Sequence, residues 1–158
     1  MGYSTEFTGS FKFNRPLTEE QTKYIQMFAG TRRMKRDPQK LLSMADPVRL
    51  SVGLGLGDEG GYYVGAGGFL GQKEDESILD YNNPPKHQPG LWCNWTTDGK
   101  ELYWNGSEKF YHYIEWLDYL IVDFFVQWDV KLNGEVEWQG DDEDDSGTIT
   151  IIDNVVSW

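Results

Sequence analysis

The chain has 158 residues, a net charge of −12 from 14 Lys and Arg against 26 Asp and Glu, and a single cysteine, Cys93. The length suits one domain, residues 1–158, burying roughly 70% of its unfolded surface, and an aromatic share of 15% argues against disorder despite the charge. One cysteine excludes an internal disulfide framework, and the longest apolar stretch, Leu117 to Trp128, is too short for a spanning helix and is interrupted by Asp118 and Asp123.

No basic region followed by an apolar run opens the chain, so the expectation is a cytoplasmic protein without a membrane association. The acceptor patterns at Asn94-Trp-Thr96 and Asn105-Gly-Ser107 are then chance matches. Charge is split along the chain. The first fifty residues carry nine Lys/Arg against five Asp/Glu, and the rest five against twenty-one. The basic extreme is Arg32, Arg33, Lys35 and Arg36; the acidic one is Asp141, Asp142, Glu143, Asp144 and Asp145.

From Tyr3 to Phe13, apolar and polar residues alternate with a period of two, which predicts a half-buried strand. Pro16 and Leu17 end it. Thr18-Glu-Glu-Gln21 matches a capping box, and Tyr24, Ile25, Met27 and Phe28 supply the buried stripe of a helix over 18–30. Residues 31–90 form an irregular middle. Gly53 to Gly71 holds nine glycines, Tyr62-Tyr63-Val64 and Phe69-Leu70 read as short strand pieces, and the prolines between Tyr81 and Gly90 exclude a helix or central strand.

Leu91 to Thr96 and Glu101 to Trp104 read as two hairpin arms joined through Asp98-Gly99, a pair suited to positive φ. Ser107 is an expected N-cap, and the three- and four-residue spacing of Phe110, Ile114, Leu117, Ile121, Phe124 and Trp128 predicts a helix over 108–127. Val130 to Trp138 and Thr148 to Ile152 are further strands, with the acidic run at their hairpin tip. The predicted class is α+β, an antiparallel sheet of about five or six strands packed against two helices.

Chemical motifs are weak. Gly55-Leu-Gly57-Asp-Glu-Gly60 has the letters of a dinucleotide fingerprint but lacks the preceding strand and following helix. Asp58 and Glu59 offer hard oxygen ligands without a calcium-loop pattern. His87, Cys93 and His112 match no zinc signature, and His112 with Glu115 and Glu108 reads as a polar strip on a helix. A buried inert thiol is the expectation for Cys93, with a nucleophile paired with His87 or His112 as the alternative. No metal, cofactor or catalytic residue is assigned, and a non-enzymatic role is preferred.

The basic cluster can grip phosphates or be paired inside the fold, and the second is preferred; the net charge disfavours direct nucleic-acid binding. The acidic run can blunt a sheet edge or present a nucleic-acid-like surface to a basic protein.

Seven strings, Gly9-Ser-Phe-Lys-Phe-Asn-Arg-Pro-Leu-Thr18, Arg32-Arg-Met-Lys-Arg-Asp37, Gly57-Asp-Glu-Gly-Gly-Tyr62, Gln88-Pro-Gly-Leu-Trp-Cys93, Glu108-Lys-Phe-Tyr111 with Glu115-Trp-Leu117, and Leu132-Asn-Gly-Glu-Val-Glu-Trp-Gln139, carry a resemblance over nearly the full chain. Together they resemble a group of small bacterial and phage hypothetical proteins with no known activity. The resemblance therefore implies no catalytic residue. A phage association implies an inhibitor acting in the host cytoplasm on a host or defence protein.

Two functions follow. The first is an acidic interaction protein whose Asp141, Asp142, Glu143, Asp144 and Asp145, with Asp58 and Glu59 as outliers, meet a basic protein surface. The second is a domain or enzyme for a phosphorylated or nucleotide-like ligand, its pocket built from the glycine-rich middle, Arg32, Arg33, Lys35 and Arg36, and the aromatic walls Tyr62, Tyr63, Tyr81 and Trp92.

Overall fold

The alternating N-terminal segment forms strand β1, Thr5–Phe13, with Phe7, Phe11 and Phe13 buried and Glu6, Thr8 and Lys12 exposed. The structure is a computed structural model that describes residues 2–66 and 74–158. After β1 come α1 (Glu19–Ala29), β2 (Lys35–Arg36), α2 (Pro38–Leu41), α3 (Pro47–Ser51) and a single 3₁₀ turn at Asp58–Gly60. Then follow β3 (Ile78–Asp80), β4 (Trp95–Thr97), β5 (Glu101–Trp104) and α4 (Tyr113–Leu120), which runs into a π-helical turn at Ile121–Phe125. Strands β6 (Leu132–Gly140), β7 (Ser146–Ile152) and β8 (Val155–Ser157) complete the chain. The class is α+β, as the element pattern predicts.

The described chain divides into two compact units, Met1–Thr18 with Asn94–Trp158, and Glu19–Cys93. The first holds a six-stranded antiparallel sheet in the order β4-β5-β1-β6-β7-β8. Strand β1 pairs along its whole length with β6, from Thr5↔Gly140 to Phe13↔Leu132. One sheet face is covered by α4 and the π turn, whose Trp116, Leu117, Leu120, Ile121, Phe124 and Phe125 are buried. The fit is specific. Phe125 meets Phe13 edge-on at 5.0 Å, Tyr113 meets Phe7 at 5.0 Å, and the Trp95 indole donates to the Tyr113 carbonyl at 3.0 Å. Each fully buried large apolar side chain contributes about 2 kcal/mol by area, so this face is the main store of cohesion in the unit.

The second helix starts later than the spacing predicts. Ser107 is not its N-cap: the Ser107 amide donates to Asn105 Oδ1 in a turn, and Lys109 and His112 sit at φ 60° and 59°, outside helical geometry. Regular helix begins only at Tyr113. At its other end Val126 N–H bonds to Ile121 C=O at 2.9 Å, five residues back, so a π turn replaces the last predicted α turns. The first hairpin arm is also shorter than predicted, since 91–94 is irregular and β4 starts at Trp95. Asp98 Oδ1 accepts from the Lys100 and Glu101 amides at 2.9 Å, with Gly99 at φ 98°, which makes the expected turn.

In the second unit, Asp37-Pro38 and Asp46-Pro47 open α2 and α3 with proline at the first turn. Tyr24, Ile25, Phe28 and Ala29 of α1 are buried. Tyr62-Tyr63-Val64 is not a strand: the Tyr63 and Val64 amides are taken by Gly60 C=O and Asp46 Oδ1. Phe69-Leu70 lies outside the described residues. A two-stranded sheet, β2 with β3, was not anticipated by the pattern.

Candidate functional site: an acidic hairpin tip and a buried basic segment

The acidic run forms the β6–β7 tip, between the last pair Gln139↔Ser146. Gly140 N–H bonds to Asp145 C=O at 2.7 Å and Asp145 N–H to Asp142 C=O at 2.9 Å, closing the loop. Gln139 Nε2 reaches the carbonyls of Asp142 and Asp145 at 3.0 and 3.2 Å. Two of the five acids are held by the segment before β1. Asp141 Oδ2 accepts the Ser4 amide at 2.8 Å, and Asp145 accepts the Tyr3 hydroxyl. That hydrogen bond to a carboxylate raises the Tyr3 phenol above its ordinary pKa. Asp142, Glu143 and Asp144 are left exposed. The sheet carries the same sign away from the tip: Glu6, Glu135 and Glu137 are exposed on β1 and β6.

Asp58 and Glu59 belong to the other unit and have local partners. Glu59, at φ 52°, accepts the Lys86 amide at 2.8 Å and lies 3.9 Å from Lys35 Nζ; Asp58 lies 3.7 Å from His87 Nε2. These contacts tie the 3₁₀ turn to the proline-rich loop.

The basic segment faces inward. Arg33 is 2% exposed, donates to the carbonyls of Gly61 and Tyr63 at 2.7 and 2.9 Å, and lies over the Phe28 ring at 4.1 Å. Arg36, 3% exposed, bonds to Asp75 at 3.0 Å and Ser77 Oγ at 2.8 Å and covers the Tyr63 ring. Burial alone would raise the Asp75 carboxyl, but donors from Ser77 and the Arg36 guanidinium outweigh it and hold its pKa low. Arg32 stacks on Tyr81 at 4.2 Å and donates to its carbonyl. Arg33 thus joins α1 to the glycine-rich stretch through backbone carbonyls, and Arg36 meets an acid just before β3; of the two, only Arg36 makes the internal pairing with acid preferred on sequence grounds. Of the proposed aromatic walls, Tyr63 is buried beneath Arg36, while Tyr81, stacked against Arg32, and Tyr62 and Trp92 are half-buried.

A third buried arginine escaped the sequence reading. Arg49 Nε bonds to Asp46 Oδ2 at 2.5 Å, while Asp46 Oδ1 accepts the Gly65 amide at 2.9 Å. Their three-residue spacing on a proline-started helix was the available signal. Among the described residues no three His, Cys, Asp or Glu side chains gather to hold a metal, and no helix is long and apolar enough to cross a membrane. Cys93 is buried, whereas the side chains of His87 and His112 are mostly exposed.

No family model, no curated protein sequence and no solved structure matches this chain.

Proposed function

We propose that this chain is a non-enzymatic interaction protein whose acidic β6–β7 tip engages a basic protein surface. The observation carrying this reading is the asymmetry of the two charged poles. The arginines at 33 and 36 are buried among their own partners, while Asp142, Glu143 and Asp144 project from an ordered tip with no cation beside them among the described residues. An unneutralised acid patch on a molecule of net charge −12 attracts a basic partner from a distance and fixes the orientation of encounter. The finer reading is a phage- or prophage-borne inhibitor that occupies the nucleic-acid-binding surface of a host or defence protein. It rests on the sequence resemblance and on the sign of the charge.

The test separates the exposed acids from those that hold the loop. In affinity capture from host lysate, the triple variant D142N/E143Q/D144N should lose a salt-sensitive partner while unfolding at the same urea concentration as the parent. Asp141 and Asp145 are kept, because they anchor residues 3 and 4. Equal recovery of every captured protein by parent and variant at low salt would remove the tip from the interface.

A further inference from the structure

A hollow of about 290 Å³ in the sheet unit is lined by His112, Tyr113, Ile114, Glu115, Trp138 and Trp158. It brings the start of α4 to the far end of β6. The Tyr113 and Trp138 rings stand 6.1 Å apart at 47°, so they form a corner rather than a stack. Trp138 is paired across the strands with Gly147, where the missing side chain leaves room for the indole. Trp158, 76% exposed, forms one side of the hollow. The carboxylate here belongs to Glu115, mostly exposed in the first turn of α4 and 4.0 Å from His112 Nδ1.

The local field is negative. Burial raises the Tyr113 phenol first, and the charges of Asp145 and Glu115 raise it further. The N-terminus of α4 alone would favour an anion, with about half a positive charge. Glu115 sits in that first turn and opposes it, Asp145 adds to the negative field at Tyr113, and no Lys or Arg lines the hollow. Aromatic faces beside a carboxylate attract organic cations through the ring quadrupole, and the one basic group in the lining is the His112 imidazole, 4.0 Å from Glu115. A bare ammonium is strongly hydrated and gives up water reluctantly. An alkylated one spreads its charge over methyl groups that also fill an apolar corner.

We propose that this hollow binds an alkylated ammonium group, with the rings of Tyr113, Trp138 and Trp158 as walls and Glu115 as counter-charge. The inference stands on these residues and does not depend on the acidic tip. Two sources share the chemistry, a free choline-like molecule and a methylated lysine side chain.

The probes are choline, its uncharged tert-butyl isostere, and a short peptide with one trimethyllysine, titrated into the full chain while the indole N–H resonances of Trp138 and Trp158 are followed. Choline should produce saturable shifts of both indoles in the millimolar range, and the isostere should not. Glu115→Gln and Trp158→Ala should each weaken binding about 3-fold, the worth of one exposed cation–π or charge contact, with the urea midpoint unchanged. Tighter binding of the peptide assigns the source as a protein side chain; binding equal to or weaker than choline assigns the free cation. Absence of saturation by choline and peptide up to about 100 mM, weaker than any useful affinity, or an equal response to the isostere, overturns the proposal.

Discussion

Arg33, Arg36 and Arg49 are each buried with a different kind of partner: backbone carbonyls, a half-exposed carboxylate and a buried carboxylate. Guanidinium suits this work because its flat fork reaches several oxygens while its face rests on Phe28 or Tyr63. The Arg36–Asp75 pair also makes stability depend on pH. The folded Asp75 carboxyl lies below its ordinary value of 3.8, so its contribution is complete above that value and is lost as pH falls through the lower, folded one. Asp98, held low by the amides of Glu101 and Lys100, acts in the same direction. Asp75→Asn should therefore lower the urea midpoint at pH 7 and lose that deficit as both proteins are taken below pH 3.8. A deficit that stays constant down to pH 2 would mean that the carboxylate charge is not its source.

The short elements depend on backbone positions that a hydrophobic pattern does not register. The strand period over β1 and the apolar stripe of α1 were legible because burial on one face dictates them. The start of α4 was not, since Ser107, Glu108 and Phe110 satisfy helix-start and helix-face rules equally well. What decides it is the turn through Asn105 and Gly106 and the left-handed conformations of Lys109 and His112, neither residue type announcing itself. Strand β8 escaped for a similar reason: it is three residues long and exists through the two-residue turn at Asp153 and Asn154, both at positive φ. Asn154 also accepts the Leu132 amide at 2.7 Å and donates to Val130 C=O at 2.9 Å, fastening the turn to the start of β6. Asn154→Gly keeps the conformation and loses those bonds, which costs about 1–2 kcal/mol. Asn154→Ala loses both and should cost about 1 kcal/mol more. Urea midpoints in the order Asn, Gly, Ala check this, and an alanine variant as stable as glycine would show that positive φ is not the constraint.

At the scale of the whole molecule, the same carboxylates set two responses to salt with opposite signs. Proteins held by exposed ion pairs weaken as salt screens them. Here the pair with both side chains nearly buried is Asp46–Arg49, and Arg36 is buried in its own pair, so moderate salt screens these attractions little. The unpaired charge is a net −12 that repels itself across the surface. The sequence makes the magnitude of that charge legible but not its disposition, because the run from Arg32 to Arg36 reads equally well as an exposed phosphate grip. Its direction is decided by contacts with Gly61, Tyr63, Asp75 and Ser77, residues between 25 and 45 positions away that no local pattern connects. Raising the salt from about 10 mM to about 200 mM shortens the screening length from roughly 30 Å to below 10 Å, and the fold should gain stability. Association through the tip should weaken over the same range. Melting temperature and partner recovery measured on the same salt series are the check. A melting temperature that falls with salt would mean that exposed pairs such as Lys35–Glu59 outweigh the self-repulsion of the surface.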